Sequence, residues 1–591
     1  MNLPEPRCPL FGKVLLKRVG LAWGLACVLL LLTSLPAILA ARFPDPDDTL
    51  RLVQVRDLIA GQSWFDMTQH RIDAAHGGVP MHWSRLVDLP LAAMILLFRP
   101  LLGMAGAEQL TIVLMPLLTL GLAMLLAGRI AWRFLDGDAV TYACLTLVMA
   151  VPVVYQLRPL RIDHHGWQIV AALAAVNGLM ANNRWLGGWL AGLALACGLS
   201  ISIEGLPFAV VIAGIAALRW FRGANERNLF AGLMQGLALG SAGFFLATRW
   251  LGDGAVHCDA ISPIHLAVFG WGAAVITLLR LAKPVALLPT LAVFGVAALG
   301  AVALMLGFAP QCATGNFDML DPVVKHFWYD RIVEGLPIWR QDPETVLQLL
   351  VPMALAIHAA LRLADQANAA VRRWWLDYAL LLTGTLLIAM LVARAAGVAE
   401  ALAAVPLGWR LKHWISAARN TVQRGAAARA FAGIILAIQP ALPLTLGTLV
   451  MGLVTSAPAT ARVSDCRISD VASNLNTLPT GTILAPLDIG PDLLISTRHS
   501  VVATSHHRAA KAMRAVIDAF SGSADSARDI VRTHGVAYVA MCPDLAETEG
   551  FARANPKGFS AQLRQGKAPA WLIPIPLPAQ AGLKVWRVSR P

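Results

Sequence analysis

Apolar runs recur along the first 455 residues, and a run of about 20 residues is long enough to cross the hydrocarbon core of a bilayer. The first run covers residues 20–41, and later ones include 108–132, 167–182, 185–202, 206–220 and 376–393. We count about thirteen, including a short run at 397–409. With 57% hydrophobic and 14% charged residues, the pattern predicts an α-helical polytopic membrane protein and excludes a cytosolic enzyme.

Basic residues indicate the orientation of these spans. Lys13, Lys17 and Arg18 precede the first run, which predicts a cytoplasmic N-terminus under the positive-inside rule. A cleaved signal peptide is the alternative, although its apolar core would be shorter. An odd number of spans then places the C-terminus outside. The net charge of +13 is typical of this asymmetry and of contact with anionic lipid, and we expect no nucleic-acid partner.

The composition divides the chain into two predicted domains. Residues 1–455 form the membrane domain, with outer loops at 42–107, 157–166 and 309–344. The first and third are long, and the first includes an interfacial helix at 86–102. Residues 456–591 have the composition of a soluble, periplasmic α/β domain. Strands are predicted at 482–484, 537–541 and 583–588, helices at 508–520 and 524–533, and a loop at Pro574–Pro578.

Four of the eight cysteines fall on the outer, oxidising side. Cys466 with Cys542, and Cys258 with Cys312, are candidate disulfides, although spacing alone does not fix the pairing. A zinc site is the less favoured alternative, because the chain has no Cys-x-x-Cys spacing.

Acidic residues lie in three separate outer loops. Asp47, Asp163 and Glu334 would hold a divalent cation through their carboxylates if these loops pack together. Arginines at outer span ends suit a lipid-linked phosphate, because the guanidinium fork matches phosphate geometry; they are Arg158, Arg161 and Arg394. The alternatives are solvated loop charges or helix caps for the carboxylates, and snorkelling to lipid head groups for the arginines.

The first outer loop resembles that of a known family. Its residues 47–61, followed by Gly78-Val79-Pro80-Met81-His82-Trp83, are similar to the catalytic subunit of the membrane oligosaccharyltransferase, in the GT-C glycosyltransferase superfamily. The resemblance implies that Asp47 is the first catalytic aspartate. Asp163-His164-His165 is similar to the second acidic motif, with His165 where a carboxylate is expected. The implied cofactor is a divalent metal, Mn or Mg, held by Asp47, Asp163, His165 and Glu334; imidazole favours manganese, zinc or another transition metal over magnesium.

Three further segments bear on the resemblance. The loop Arg331–Pro337 is similar to the family's loop carboxylate region, which implies that Glu334 lies near the acceptor, and Arg394 resembles the arginine that holds the lipid pyrophosphate. Where the family has Trp-Trp-Asp-Tyr-Gly, this chain has Ala485-Pro486-Leu487-Asp488-Ile489-Gly490, which keeps Asp488 as an acceptor-binding candidate but has no aromatic residue. The run Trp374-Trp375-Leu376-Asp377-Tyr378 begins a predicted span on the cytoplasmic side and is not this motif.

These features predict a metal-dependent glycosyltransferase of GT-C type. It would move a sugar or oligosaccharide from a polyprenyl-(pyro)phosphate donor to a protein, lipid or polysaccharide acceptor on the periplasmic side of a bacterial inner membrane. One alternative is a monosaccharide transferase that modifies a lipid or polysaccharide. Another is a transporter or lipid flippase with an acidic proton relay, which the position of the carboxylates in loops disfavours.

Overall fold

The computed structural model describes residues 12–249, 253–282, 286–313, 315, 317, 320–420, 423–447, 464, 466–578 and 582–589. The chain forms two compact units. The first comprises residues 1–42, 84–315 and 333–456, and the second comprises residues 43–83, 316–332 and 457–591. The second unit thus combines the C-terminal region with parts of two predicted outer loops. The predicted domain boundary at 455/456 lies outside the described residues.

The first unit is helical. Its helices are α1 (Lys13–Leu39), α3 (Arg85–Phe134), α4 (Gly137–Met149), α5 (Val151–Leu157), α6 (His165–Leu179), α7 (Arg184–Ile201), α8 (Leu206–Arg219), α9 (Ala224–Arg249), α10 (Pro263–Leu281), α11 (Leu287–Phe308), α13 (Pro343–Asp365), α14 (Ala369–Leu391), α15 (Ala396–Asn420) and α16 (Arg424–Ile438). In the described part of the chain, nine helices are long and apolar enough to cross a membrane, or ten if the bent pair α4 and α5 is one span. The protein is therefore a multi-pass membrane protein, and the count of thirteen stays a prediction.

Helix α3 contains a break at Gly103, whose backbone is left-handed with φ 68° and ψ 177°. Glycine tolerates this conformation because it has no Cβ. The break separates the predicted interfacial helix at 86–102 from the predicted span at 108–132, which are therefore two segments of one helical stretch.

Glycines let helices α7 and α9 approach closely. A Cβ on Gly188 would collide with the carbonyl oxygen of Leu229, and one on Gly192 with that of Leu233. On α9, Gly232 and Gly236 face the backbone of α7 in the same way. Small residues four apart on both helices are a common solution for packing spans in lipid. This packing fixes the axis of α7, whose end leads into the turn that carries Glu204.

The second unit is an α/β structure. Its helices are α2 (Pro46–Ile59), α12 (Pro322–Phe327), α17 (Ile468–Asn476), α18 (Gly490–Ser496), α19 (Ala510–Ser521), α20 (Ala524–Thr533), α21 (Ala546–Ala554) and α22 (Phe559–Arg564). The strands are β1 (Thr68–Gln69), β2 (Val79–Pro80), β3 (Thr482–Leu484), β4 (Ser500–Val501), β5 (Val536–Met541), β6 (Leu572–Ile575) and β7 (Lys584–Val588). The predicted C-terminal α/β region is thus confirmed.

The main sheet has the order β4-β3-β5-β7-β6. Strand β3 pairs in parallel with β4 and β5, whereas β7 is antiparallel to β5 and β6. The predicted loop at Pro574–Pro578 is wrong at its start, because Pro574 pairs with Trp586 inside β6. Proline is tolerated there because β6 is an edge strand, where one side of the backbone has no ladder partner.

Both candidate disulfides are present. Cys258 bonds to Cys312 in the first unit, and Cys466 bonds to Cys542 in the second. The second bond ties the start of the C-terminal region to the residue that follows β5. The cysteine pairing predicted for the outer side is therefore confirmed.

Candidate active site

The second acidic motif lies between two helices of the first unit. Helix α5 ends at Leu157, the chain turns through Leu160 with a left-handed φ of 72°, and α6 begins at His165. Asp163, His164 and His165 are all buried, with exposures of 4%, 5% and 6%. Three ionisable side chains held out of water in consecutive positions require partners, because burying an uncompensated charge is costly.

The three side chains form a compact group that could hold a metal ion. Asp163 Oδ1 lies 2.7 Å from His164 Nδ1, and Asp163 Oδ2 lies 3.6 Å from His165 Nε2. One ligand atom from each residue falls within 4.8 Å of the others. A carboxylate with imidazoles fits a divalent transition metal better than magnesium, which prefers oxygen ligands. The donor set therefore fits the metal that the sequence predicts at Asp163 and His165.

The two histidines differ in protonation. Burial opposes a charge on His164, but the Asp163 carboxylate beside it, with Glu204, raises its pKa to about 9. Burial lowers the pKa of His165, which precedes the apolar part of α6, to about 3, and the neighbouring charge of His164 adds to this effect. A neutral imidazole is the form that binds a metal. His165 is therefore ready to act as a ligand at neutral pH.

Glu204 is a site residue that the motifs do not reveal. It lies in a 3₁₀ turn, Ile203–Gly205, that joins α7 to α8. Its Oε2 is 3.9 Å from His164 Nε2, and its Oε1 is 3.2 Å from Arg394 Nη1. The only sequence signal is a lone carboxylate in a three-residue turn between two predicted spans, on the same side as Asp163.

The structure also brings Arg394 and Glu334 to this place. Arg394 follows α14 in the turn Ala393–Ala395, and its Nη1 is 3.9 Å from Glu334 Oε1. The backbone N–H of Ala393 donates to the carbonyl of Leu336, which links the two turns. Arg394 thus lies between two carboxylates, Glu204 and Glu334. The resulting row alternates in charge, from Asp163 through His164, Glu204 and Arg394 to Glu334.

The other predicted phosphate-binding arginines contact an aromatic ring. The guanidinium carbons of Arg158 and Arg161 lie 4.8 Å and 5.1 Å from the centre of the Tyr155 ring. Arg161 is buried and donates from Nε to Gln156 Oε1 at 3.2 Å. Arg161 is therefore held rigidly close to the Asp163 motif, and its charge acts on His165. Both guanidinium groups stack on the ring, as cation–π geometry favours.

Asp47 belongs to the second unit. It lies in the first turn of α2, after the N-cap Asp45, whose Oδ1 accepts a hydrogen bond from the backbone N–H of Asp47 at 2.9 Å. Pro46 occupies the first helical position, which its fixed φ favours. Asp47 is half-buried, and Asp48 beside it is fully buried. The negative charges at this helix start are stabilised by the helix dipole.

Asp488, the predicted acceptor-binding residue, also lies in the second unit. It is in the 3₁₀ turn Leu487–Ile489, and the backbone N–H groups of Leu487 and Asp488 donate to the two carboxylate oxygens of Glu547 at 2.9 Å and 3.0 Å. Glu547 is buried, and burial together with the charge of Asp488 raises its pKa to about 8. The pKa of Asp488 is also raised, mainly by burial. The charge of Asp45 adds to this effect, and the charge of Arg331 opposes it. Glu547 thus holds the turn that replaces the aromatic motif, and no sequence pattern indicates it.

Two other groups in the second unit could hold a metal. One consists of His82, His506 and His507, and the other of Asp73, His76 and His534. In the first, His82 Nδ1 and His506 Nε2 are 2.9 Å apart. In the second, Asp73 Oδ1 is 2.7 Å from His76 Nδ1 and 3.3 Å from His534 Nδ1. A measurement of bound metal must therefore distinguish ions held by these two groups from an ion held at Asp163.

The fold is similar to that of solved oligosaccharyltransferases, so the resemblance to the oligosaccharyltransferase catalytic subunit is confirmed at the level of the fold. The structure is similar to the apo oligosaccharyltransferase of Archaeoglobus fulgidus, with a TM-score of 0.65 and 15% identity over 92% of this chain and 71% of that one. It is also similar to the same organism's oligosaccharyltransferase AglB in complex with an inhibitory peptide and a dolichol-phosphate, with a TM-score of 0.64 and 13% identity over 94% and 72% of the two chains.

A third structure of the Archaeoglobus fulgidus enzyme, in complex with Zn and sulfate, matches with a TM-score of 0.58 and 12% identity over 91% of this chain and 70% of that one. No protein-family model matches the chain, and no curated protein matches it in sequence. At such low identity the structural similarity establishes the fold, while substrates and residue roles require their own arguments.

Proposed function

We propose that the chain is a metal-dependent glycosyltransferase that moves a sugar or oligosaccharide from a polyprenyl-(pyro)phosphate to an acceptor. The observation that carries the proposal is the row of alternating charges from Asp163 to Glu334, formed at one end of a fold shared with an oligosaccharyltransferase. That relative has been solved with a dolichol-phosphate and with Zn and sulfate. Lipid-linked phosphate and a divalent metal are ligands that this row suits chemically.

We assign the candidate residues to the cation, to the donor phosphate and to the acceptor. Asp163 and His165 would hold the cation, which when bound neutralises charge on the departing phosphate. Arg394 would bind the lipid phosphate, with Arg158 and Arg161 supporting it. Because Glu204 and Glu334 flank Arg394, its guanidinium is already oriented before the donor arrives. Such preorganisation is what lowers a reaction barrier.

The transfer step breaks the bond between the anomeric carbon and the phosphate oxygen, and the electron pair leaves with the phosphate. The acceptor nucleophile forms the new bond to the anomeric carbon and gives its proton to a carboxylate. Glu334, whose side chain keeps 31% exposure, or Asp47 would take that proton and orient the acceptor. Asp488 would bind the acceptor from the turn that Glu547 holds.

We place this chemistry at the periplasmic face of a bacterial inner membrane, with the N-terminus in the cytoplasm and the C-terminal domain outside. The basic loops and the two disulfides support this orientation. The loss of every aromatic residue in the 485–490 turn supports an acceptor site unlike that of the oligosaccharyltransferase. The acceptor classes to be compared are protein, lipid and polysaccharide.

Transfer of radiolabel from a polyprenyl-linked sugar, measured in membranes offered each acceptor class, tests the proposal. We expect label in one class of product, and loss of that label on chelation with recovery on adding Mn²⁺. Substrate uptake into sealed vesicles in the absence of any glycosyl product would contradict a transferase and favour a transporter.

A further inference from the structure

Four helices of the first unit carry the candidate active site at one end and arginines at the other. Helix α6 runs from His165 to Leu179, α7 runs from Arg184 toward Glu204, α8 runs from Leu206 to Arg219, and α14 runs from Ala369 toward Arg394. At a rise of 1.5 Å per residue, helices of this length separate their ends by roughly 20 to 35 Å. The arginines therefore belong to a second place on the same bundle.

That second place is a cavity of about 450 Å³. Its volume lies within the range of small-ligand sites. Its lining includes the apolar residues Phe134, Met180 and Trp374. The charged residues that line it are five arginines and two acids: Arg133, Arg184, Arg219, Arg222, Arg373, Glu226 and Asp377. Positive charge exceeds negative charge by three. A concave site with this excess attracts an anion.

The two carboxylates hold three of the arginines in place and neutralise only part of the positive charge. Glu226 Oε1 is 3.2 Å from Arg184 Nε, and Glu226 Oε2 is 2.9 Å from Arg219 Nε. Asp377, from the Trp-Trp-Leu-Asp-Tyr run, accepts from both terminal nitrogens of Arg222 at 2.6 Å. Two acids are thus shared among three guanidinium groups, whose planar forks suit bidentate binding of phosphate oxygens.

Burial distinguishes two of the five arginines from the ordinary basic residues at span ends. Arg219 is 4% exposed and Arg133 is 7% exposed. By contrast, the Arg362 side chain is 54% exposed and pairs with Asp365 at 3.9 Å, as expected for a charge that faces solvent or head groups. Gathering like charges in a half-enclosed cavity costs free energy unless a counter-charge enters.

We propose that this cavity is a second ligand site, which binds a phosphate-bearing anion. The anion is either a phospholipid head group or a free phosphate such as pyrophosphate, since both offer the oxygens that the arginines recognise. The site does not depend on the transferase reaction, because it lies at the far end of α6, α7, α8 and α14. Under the orientation given above, this end faces the cytoplasm, where anionic lipids are concentrated.

The test uses the full chain purified in detergent. Native mass spectrometry after incubation with cardiolipin or phosphatidylcholine measures a retained lipid, and equilibrium dialysis with labelled pyrophosphate measures a free anion. We expect saturable binding of cardiolipin without phosphatidylcholine, which assigns the lipid head group, or saturable binding of pyrophosphate, which assigns the free anion. A wild-type chain that binds neither overturns the proposal.

Variants locate the ligand. Arg373→Gln removes an exposed positive charge from the cavity and leaves no buried carboxylate without its partner. The double variant Arg222→Gln with Asp377→Asn removes both members of one ion pair. We expect each to weaken binding of the assigned anion at least about tenfold, in line with a charge-assisted hydrogen bond. Arg372→Gln, an exposed neighbour that does not line the cavity, is the matched control and should bind as wild type. Equal binding by Arg373→Gln, the double variant and wild type would place the anion elsewhere and overturn the assignment.

Discussion

The two ends of helices α6, α7, α8 and α14 differ in how acidic and basic side chains are arranged. At one end acids and bases alternate, and each cationic group has a carboxylate on either side: His164 lies between Asp163 and Glu204, and Arg394 lies between Glu204 and Glu334. At the other end three arginines share two carboxylates, and two more arginines line the same cavity. The first arrangement suits a cation and a phosphate together, whereas the second suits an anion alone.

The difference shows that burial alone does not identify a catalytic centre. Both ends bury ionised groups, and both are assembled from turns between long helices. What separates them is the kind of donor: carboxylate and imidazole ligands can hold a metal, and guanidinium groups cannot. A proton acceptor likewise must be unprotonated at neutral pH, as a carboxylate is and arginine is not. Catalysis is therefore expected only at the Asp163 end.

The largest expected effect comes from Asp163. Changing Asp163→Asn removes an anionic ligand atom, and we expect transfer to fall about 10²–10³-fold, as when one preorganised electrostatic group is lost. The measurement is the initial rate of radiolabel transfer per folded enzyme. Asp365→Asn, at an exposed carboxylate in the last turn of α13, is the control and should stay within about twofold of wild type. An Asp163→Asn chain that keeps a tenth of the activity would contradict the comparison.

Glu204 is expected to have an intermediate effect as a positioning residue. Glu204→Gln removes the charge between His164 and Arg394, and we expect a loss of about 10- to 100-fold, typical of groups that orient metal ligands. A purely structural role would leave the apparent affinity for Mn²⁺ unchanged, so that affinity is measured beside the rate. Glu204→Asp should recover part of both, and Glu344→Gln, at a half-buried carboxylate in the first turn of α13, should change neither.

At the other end we expect a loss of stability. Asp377→Asn breaks the two-pronged pair with Arg222 and removes one of the two carboxylates in the cavity, so the free energy of unfolding should fall by about 2 kcal/mol. Thermal unfolding in detergent measures it. The exposed pair of Asp365 with Arg362 provides the contrast, since its removal should cost about 0.5 kcal/mol or less. Equal effects of the two variants would show that the cavity pair is not special.

The smallest effect concerns Glu547 in the second unit. Its pKa is raised to about 8, so the folded state binds a proton that the unfolded state, with an ordinary pKa near 4.5, has lost at neutral pH. The resulting stabilisation is fully present below pH 4.5 and disappears as pH rises through 8. We expect hydrogen exchange in β5, corrected for intrinsic rates, to report at least about 1 kcal/mol lost between pH 5 and 8. Glu547→Gln, which cannot titrate, should lose less; an identical pH dependence would contradict the assignment.

Local patterns predicted much of the architecture. Strands at 482–484 and 537–541 and the helix at 524–533 follow from short hydrophobic periods, and the structure has β3, β5 and α20 there. Pro574 is the exception, because its place in β6 depends on that strand lying at the sheet edge. Motif resemblance predicted roles for Asp163, His165, Glu334 and Arg394. Glu204 and Glu547 carry no motif, since their partners lie 40 or more residues away along the chain.

By itself the sequence determined that the chain is a multi-pass membrane protein with an α/β region. The length of an apolar segment decides whether it can span a bilayer, and its periodicity decides whether it can form a strand or a helix; both are local properties of the sequence. Its cysteines also indicated two disulfides on one side. Only the tertiary structure decided that Glu204 bridges His164 and Arg394, and that five arginines from the ends of four helices surround one cavity. These contacts depend on where helix ends meet, and close packing such as that of α7 on α9 sets those positions through residues far apart in sequence.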